Sequence, residues 1–381
     1  MDPRILKYYN RELQYIREMG GEFAKEFPKV AGRLGLDGFD CADPYVERLL
    51  EGFAFLAARI QLKLDSEFPR FTQHLLEMTY PHYLCPTPSM AVVCLQPDRA
   101  EGALADGFVV KRGTILRSQL GKGDQTACEY RVSQDTTLWP LQIVEAEYFS
   151  HFQDFTNVPR IDVRRLKAGL RIRLRTTAGL TFDKISLSSL RLFLRGTDQR
   201  PMRLYEQLIQ NSVAVVVRPP AKTWNEVLPA SRIQGVGFED DEALLPFGAR
   251  SFQGYRLLHE YFALPERFLF AEIGGLGPAV RRTSGSELEI VVLFDRSDPV
   301  LENAVDANEF ALHCTPAINL FQRRCDRIHL ESSVYEYLVV PDRTRPLDFE
   351  VYLPLAVTGH GTAAEDEREF LAFYSAAEST R

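Results

Sequence analysis

Between Ala311 and Leu330 the chain reads ALHCTPAINLFQRRCDRIHL, placing two histidines, two cysteines and three arginines within twenty residues. Two chemistries can be built from these types. A zinc site would use His313 or Cys314 with Cys325 and His329. Structural zinc sites bring their ligands in close pairs, because a spacing of two to four residues lets one turn present both. Cys325 and His329 have that spacing, whereas Cys314 stands eleven residues before Cys325 with no local partner. A thiol nucleophile would need a base or cation beside it, which Arg323, Arg324 or His329 would supply if the fold places them so. A hydrolase built on Cys314, Cys325 and His329 is therefore one reading. The structural reading is simpler: in EFALHC, Phe310, Leu312 and Cys314 fall on one side of a strand, and Cys314 packs inward as a small apolar residue.

The other candidates are weaker. Arg171, Arg173 and Arg175 alternate with Leu170, Ile172 and Leu174 in GLRIRLRTT, giving one strand a cationic face. That face suits an acidic partner surface or a phosphate backbone, but the solvated side of a half-exposed antiparallel sheet is the preferred reading. GGLG at Gly274–Gly277 lacks the lysine and hydroxyl residue of a phosphate loop and reads as a turn. Asp240-Asp241-Glu242 reads as a solvated acidic tip, and His82 as a packing residue among aromatics. No GxSxG or HExxH pattern occurs, so no residue is assigned to catalysis, metal or cofactor.

The 381 residues allow two or three domains, and 45% hydrophobic with 25% charged residues is ordinary globular composition. A formal net charge of -7 gives no general drive toward nucleic acid or anionic membrane. The N-terminal MDPRILKYYNREL lacks the order of a secretory signal, and no apolar run is long enough to span a bilayer. The expectation is a cytoplasmic protein whose six scattered cysteines, with no CxxC, stay reduced.

The elements that would position these residues fall into a helical region and two β regions. Asp2-Pro3 predicts a helix cap, and Leu6, Tyr9, Leu13, Ile16, Gly20, Phe23 and Phe27 follow a 3-4 spacing that predicts an apolar helix seam. Gly20-Gly21 predicts a kink and Pro28 the end. Asp43-Pro44 caps a second helix with Val46, Leu50, Phe53, Ala57, Ile60 and Leu64 on one face. Leu49 and Leu56 widen that face, so the helix needs neighbours on more than one side. Pro69 is expected to break it, with FTQHLLEMTYPHYL as a third, shorter piece. The seam of the first helix buries either against its own second helix or against another chain. From Ser89 onward the texture turns to strands: AVVCLQ, GFVVKRGTILRS, EYRVSQDTTLW, LQIVEAEYF, GLRIRLRTT, SSLRLFLRG and VAVVVRPP, with PMRLYEQLIQ as a helix. RFLFAEI, SELEIVVLF, NEFALHC, DRIHL, YEYLVVPD and FEVYLPLAV continue it. The fold class is α+β, with a helical region at 1–88 followed by two mainly antiparallel β domains at 89–222 and 223–381.

YYNRELQYIREMGGEFAKEFPKVAGRLGL, DPYVERLLEGFAFLAARIQLKLDSEFPRF and LLEMTYPHYLCPTPSM closely resemble the N-terminal region of the TssF (VasA, ImpG) family, and YFALPERFLF, LHCTPAINLF, YLVVPD and FEVYLPLAV are similar to later segments of it. That resemblance implies a structural, non-enzymatic subunit of the type VI secretion system baseplate wedge. It implies assembly with TssG and TssK, two copies per wedge, and a cytoplasmic place docked on the inner-membrane secretion complex. It also implies that 223–381 is C-terminally shortened relative to the family, and that no metal or nucleophile attaches to LHCTPAINLF. The residues expected at interfaces are Leu6, Tyr9, Leu13, Ile16, Phe23 and Phe27 on the seam, with Arg171, Arg173 and Arg175. A wedge component of another phage-tail-like contractile machine shares the same architecture with different partners.

Overall fold

The computed structural model describes residues 2–37, 40–98, 102–123, 125–156, 158–248, 251–361 and 367–371. It divides into two units, Met1–Leu84 and Cys85–Arg381.

The first unit is a helical hairpin of α1 (Ile5–Glu26) and α2 (Pro44–Thr79). Tyr8 bonds Asp65 and Arg17 bonds Glu47, so the helices run antiparallel. Asp43 caps α2 as its sequence predicts, its Oδ1 accepting from the Tyr45 N–H at 2.9 Å. At the other start, Asp2 accepts from Arg4 N and pairs with the Arg4 guanidinium, and the helix begins only at Ile5. α1 continues through Gly20-Gly21 and stops at Glu26, with Pro28 opening a four-residue helical turn. Pro69 does not break α2: the helix runs 36 residues and absorbs the predicted third piece as far as Thr79, with Pro81–Leu84 a separate short turn. Pro69 is exposed, so the Asp65 carbonyl that loses its helical donor can turn to water, and neighbouring turns retain their bonds.

The second unit is antiparallel throughout its main sheets. Its strands include β1 (Met90–Cys94), β2 (Ile115–Arg117), β3 (Glu129–Val132), β4 (Leu141–Phe149), β5 (Ala168–Thr176) and β6 (Ser189–Leu194). They continue as β7 (Ser212–Arg218), β8 (Glu226–Pro229), β9 (Ile233–Val236), β10 (Phe270–Gly274), β11 (Glu287–Phe294), β12 (Phe310–Ala311) and β13 (Cys314–Ile318). The three larger sheets among the described residues are ordered β8-β7-β11-β5-β4, β9-β10-β6-β12 and β1-β13-β3-β2. Strands from both sides of residue 222 share the first two of these sheets and the third as well. The expected 222/223 boundary therefore does not separate the strands into two bodies, because their ladders cross it.

One core joins the first two sheets. Leu170, Ile172 and Leu174 of β5 are fully buried with Leu288, Ile290 and Val292 of β11, and meet Leu190, Leu192 and Leu194 of β6. Helix α3 (Arg200–Gln210) adds Leu204 and Leu208. The alternation of β5 and β6 is thus the imprint of two sheets packed face to face. β11 reads as a continuous apolar run because both faces are covered: Val291 and Leu293 pack with Phe155, Val158 and Leu166 on the far side. Opposite Phe149 in the ladder stands Gly169, where a Cβ would meet the Phe149 ring.

NEFALHC does not form one strand. β12 pairs with β6 in one sheet and β13 with β1 in another, and between them His313 takes a left-handed φ of 58°. Phe310, Leu312 and Cys314 are nonetheless all buried, as the alternation requires. GGLG is followed by a six-residue helix, Gly277–Arg282, that its sequence does not announce. The runs DRIHL, YEYLVVPD and FEVYLPLAV carry β-type alternation, yet residues 319–356 contain no strand. A strand needs a ladder partner, and Leu330, Tyr335 and Leu338 remain exposed here.

Candidate assembly surfaces

The hairpin settles where the α1 seam goes. Tyr9, Leu13, Ile16 and Gly20 are half-buried, while Leu6, Phe23 and Phe27 stay exposed. From α2, Val46, Leu50 and Ala57 are half-buried and Ala54 and Ala58 fully so. Small alanines let the two backbones approach closely, as at tight helix contacts. The seam therefore meets its own second helix over the middle of its length, and leaves its ends open.

A second stripe is larger. Tyr45, Leu49, Phe53, Leu56, Ile60, Leu64, Phe68, Phe71, Leu75 and Met78 are all exposed. Their spacing of threes and fours keeps them on one side of α2, beside the face that packs on α1. At 1.5 Å per residue the stripe runs roughly 50 Å. Phe53, Ile60 and Leu64, expected on the buried face, belong instead to this open one. The hairpin occupies only one flank of α2 and leaves the other open.

In the second unit, helix α4 (Gln253–Ala263) is built inside out. Its charged residues Arg256 and Glu260 are buried, while Tyr255, Leu258 and Phe262 point outward, beside exposed Phe252. Glu260 Oε1 accepts from the backbone N–H groups of Leu244 and Leu245 at 3.1 and 2.9 Å. Arg256 and Arg267 both pair with its other oxygen, and Arg267 reaches the carbonyl of Gly237 at 2.6 Å. Burial, with Arg256 close by, lowers the Arg267 pKa to about 10, still a cation at neutral pH. The acidic tip belongs to the same network: Arg256 holds Asp240 at 2.9 Å, and Glu242 accepts from Gly237 N at 2.6 Å. These charges fasten the 237–245 segment beneath α4, so the helix spends its polar face inward and shows its aromatic one.

The arginine row is engaged within its own sheet. Arg171 pairs with Glu147 and Glu145, Arg173 with Glu145 and Glu289, and Arg175 with Glu287. Glu289 is buried and also holds the buried Arg218 at 3.1 Å. The row is a cross-strand ion-pair ladder, with each guanidinium matched by a carboxylate from β4 or β11. The row's positive charge is thus compensated within the sheet, on a face that stays part-exposed. Sequence reasoning missed Glu289, Arg218, Glu260 and Arg267. Only the ELEIV pattern, a carboxylate inside an apolar run, hinted at the first.

The opening cluster is dispersed. His313 Nε2 accepts from the Trp139 backbone N–H at 3.1 Å, and burial lowers its pKa to about 4, so it is a neutral acceptor. Burial, with Cys94 beside it, pushes the Cys314 thiol up to about 12, the opposite of an activated nucleophile. Cys325 is half-buried and His329 exposed in the strand-free 319–356 segment. Among the described residues no group of three His, Cys, Asp or Glu gathers at metal-binding range. No helix among them is long and apolar enough to cross a membrane.

With this geometry in hand, comparison with known proteins is specific. The family model for the type VI secretion system protein TssF matches residues 1–381. The type VI secretion system component TssF1 of Pseudomonas aeruginosa is 58% identical over 381 residues, which is all of this chain and 61% of that protein. A cryo-electron microscopy structure of a type VI TssK-TssF-TssG baseplate subcomplex contains a chain that superposes with a TM-score of 0.64 at 28% identity. The match covers 83% of this chain and 57% of that one. The chain thus spans about three fifths of the length of these relatives.

Proposed function

Because the chain belongs to the TssF family of type VI secretion proteins, we propose that it is a non-enzymatic wedge subunit of the baseplate, assembling with TssG and TssK. The relative's subcomplex supplies the partners, and the exposed α2 stripe supplies the means. In this reading the wedge contains two copies of the chain and works in the cytoplasm, docked on the inner-membrane complex. Its role is mechanical: the wedges hold a platform for sheath and tube, and their rearrangement triggers contraction.

The observation that carries this reading is ten large apolar side chains exposed along one face of a 36-residue helix. Monomeric proteins rarely leave such a contiguous patch open, and obligate interfaces are built from them. The outward aromatics of α4 form a second, smaller contact of the same kind, and the open ends of the α1 seam extend the first. Arg171, Arg173 and Arg175, part-exposed within their ion-pair ladder, add a charged contact to this proposal.

Co-expression of the chain with TssG and TssK, followed by tag purification and light scattering, tests the proposal. A particle containing all three, with two copies of this chain, is the expected result. A monomer that leaves both partners in the flow-through contradicts it.

A further inference from the structure

We propose that Cys94 and Cys314 form a reversible cross-strand disulfide that fastens β1 to β13. The two residues stand directly opposite in the β1/β13 ladder. Next to them, the Leu95 N–H donates to His313 O at 2.9 Å, which makes Cys94/Cys314 the non-hydrogen-bonded type of antiparallel pair. Such pairs bring Cα atoms to about 4.5 Å, inside the roughly 4.4–6.8 Å window of disulfides. Both side chains project to the same side. Cys94 Sγ lies 3.4 Å and Cys314 Sγ 3.6 Å from the same acceptor, the Leu312 carbonyl. Nothing need move along the ladder for the sulfurs to meet.

The two thiols differ in access. Cys314 is buried among Val92, Phe193, Val236 and Phe270, whereas Cys94 is exposed on β1, the edge strand of its sheet. Cys94 is therefore the entering group for a small-molecule disulfide oxidant such as oxidised glutathione. Its thiolate attacks one sulfur of the oxidant, forming a mixed disulfide and expelling one glutathione thiolate, which takes up a proton. Cys314 then loses its proton and attacks Cys94 Sγ, expelling the second glutathione. Two protein thiols and one oxidised glutathione become one protein disulfide and two reduced glutathiones.

The bond would close the long loop from residue 94 to residue 314 and pin the edge strand that first follows the helical unit. An edge strand held by one neighbour is the part of a sheet most easily peeled away.

The test uses the full chain exposed to oxidised glutathione, alkylated, digested and mapped by mass spectrometry. The expected product is a Cys94–Cys314 cross-linked peptide, lighter by about 2 Da than its two reduced parts and split by dithiothreitol. Cys314→Ser should trap Cys94 as a glutathione adduct, and Cys94→Ser should leave Cys314 reduced. A wild-type chain whose Cys94 stays a glutathione adduct, or pairs with another cysteine, overturns the proposal.

Discussion

Tyr8 donates its phenolic hydrogen to Asp65 Oδ2 at 2.7 Å, joining the start of α1 to the second half of α2. The pair marks the antiparallel pairing whose contact is made by the α1 seam and by buried Ala54 and Ala58 of α2. The other flank, from Tyr45 to Met78, is left apolar and open.

The seam of α1 is internal at its centre, so Leu13→Asp with Ile16→Asp should open the hairpin itself. Far-ultraviolet circular dichroism should show loss of helix, while the tertiary signal of the β unit persists. Unchanged helical content would mean that α1 draws nothing from α2.

The Glu260 network is a buried charge set, and removing one member strands the others. Glu260→Ala leaves Arg267 buried with its carboxylate partner gone and Arg256 with Asp240 alone, at a cost of roughly 3–5 kcal/mol. Urea unfolding measures it. A cost below about 1 kcal/mol would show that the two arginines reach solvent in the variant.

The arginine ladder should divide by depth. Arg175→Ala removes a half-exposed pair with Glu287 and should cost about 0–1 kcal/mol. Glu289→Ala, by contrast, leaves buried Arg218 with only the longer 3.6 Å contact to part-exposed Asp154 and should cost roughly 3–5 kcal/mol. Equal costs in the same unfolding assay would contradict the assignment of Glu289 as the buried anchor.

His313 predicts a pH dependence. Its folded pKa, near 4, lies below the ordinary 6.5, so the unfolded chain binds the extra proton between these values. The stabilising difference is complete above about pH 6.5 and is lost as pH falls toward 4, in all at most roughly 3 kcal/mol. His313→Gln keeps an acceptor for Trp139 N–H and should flatten that part of the curve. A wild-type curve already flat over this interval would show that the ring does not stay neutral.

Much of this was legible in sequence. Periods of 3.6 and 2 marked both long helices and most strands, and Asp43-Pro44 announced its cap, because local patterning and final packing agree there. Four features were hidden for physical reasons. Proline at 69 breaks a helix only where its freed carbonyl cannot reach water. The sheet change at His313 needs a left-handed residue that a histidine can supply without any glycine. The partners of Arg171, Arg173 and Arg175 lie on two other strands, β4 and β11, far away in sequence. The α4 helix is not expected within the second β-rich region, and periodicity in any case gives two faces but not which one is inside.

Hydrogen–deuterium exchange on the chain, alone and after assembly with TssG and TssK, tests the central claim most directly. The account predicts strong new protection along Tyr45–Met78, lost together with the complex in Phe53→Asp with Ile60→Asp, while the β unit exchanges as in wild type. A complex that forms with no added protection on α2, or that the double variant joins as well as wild type, would contradict it.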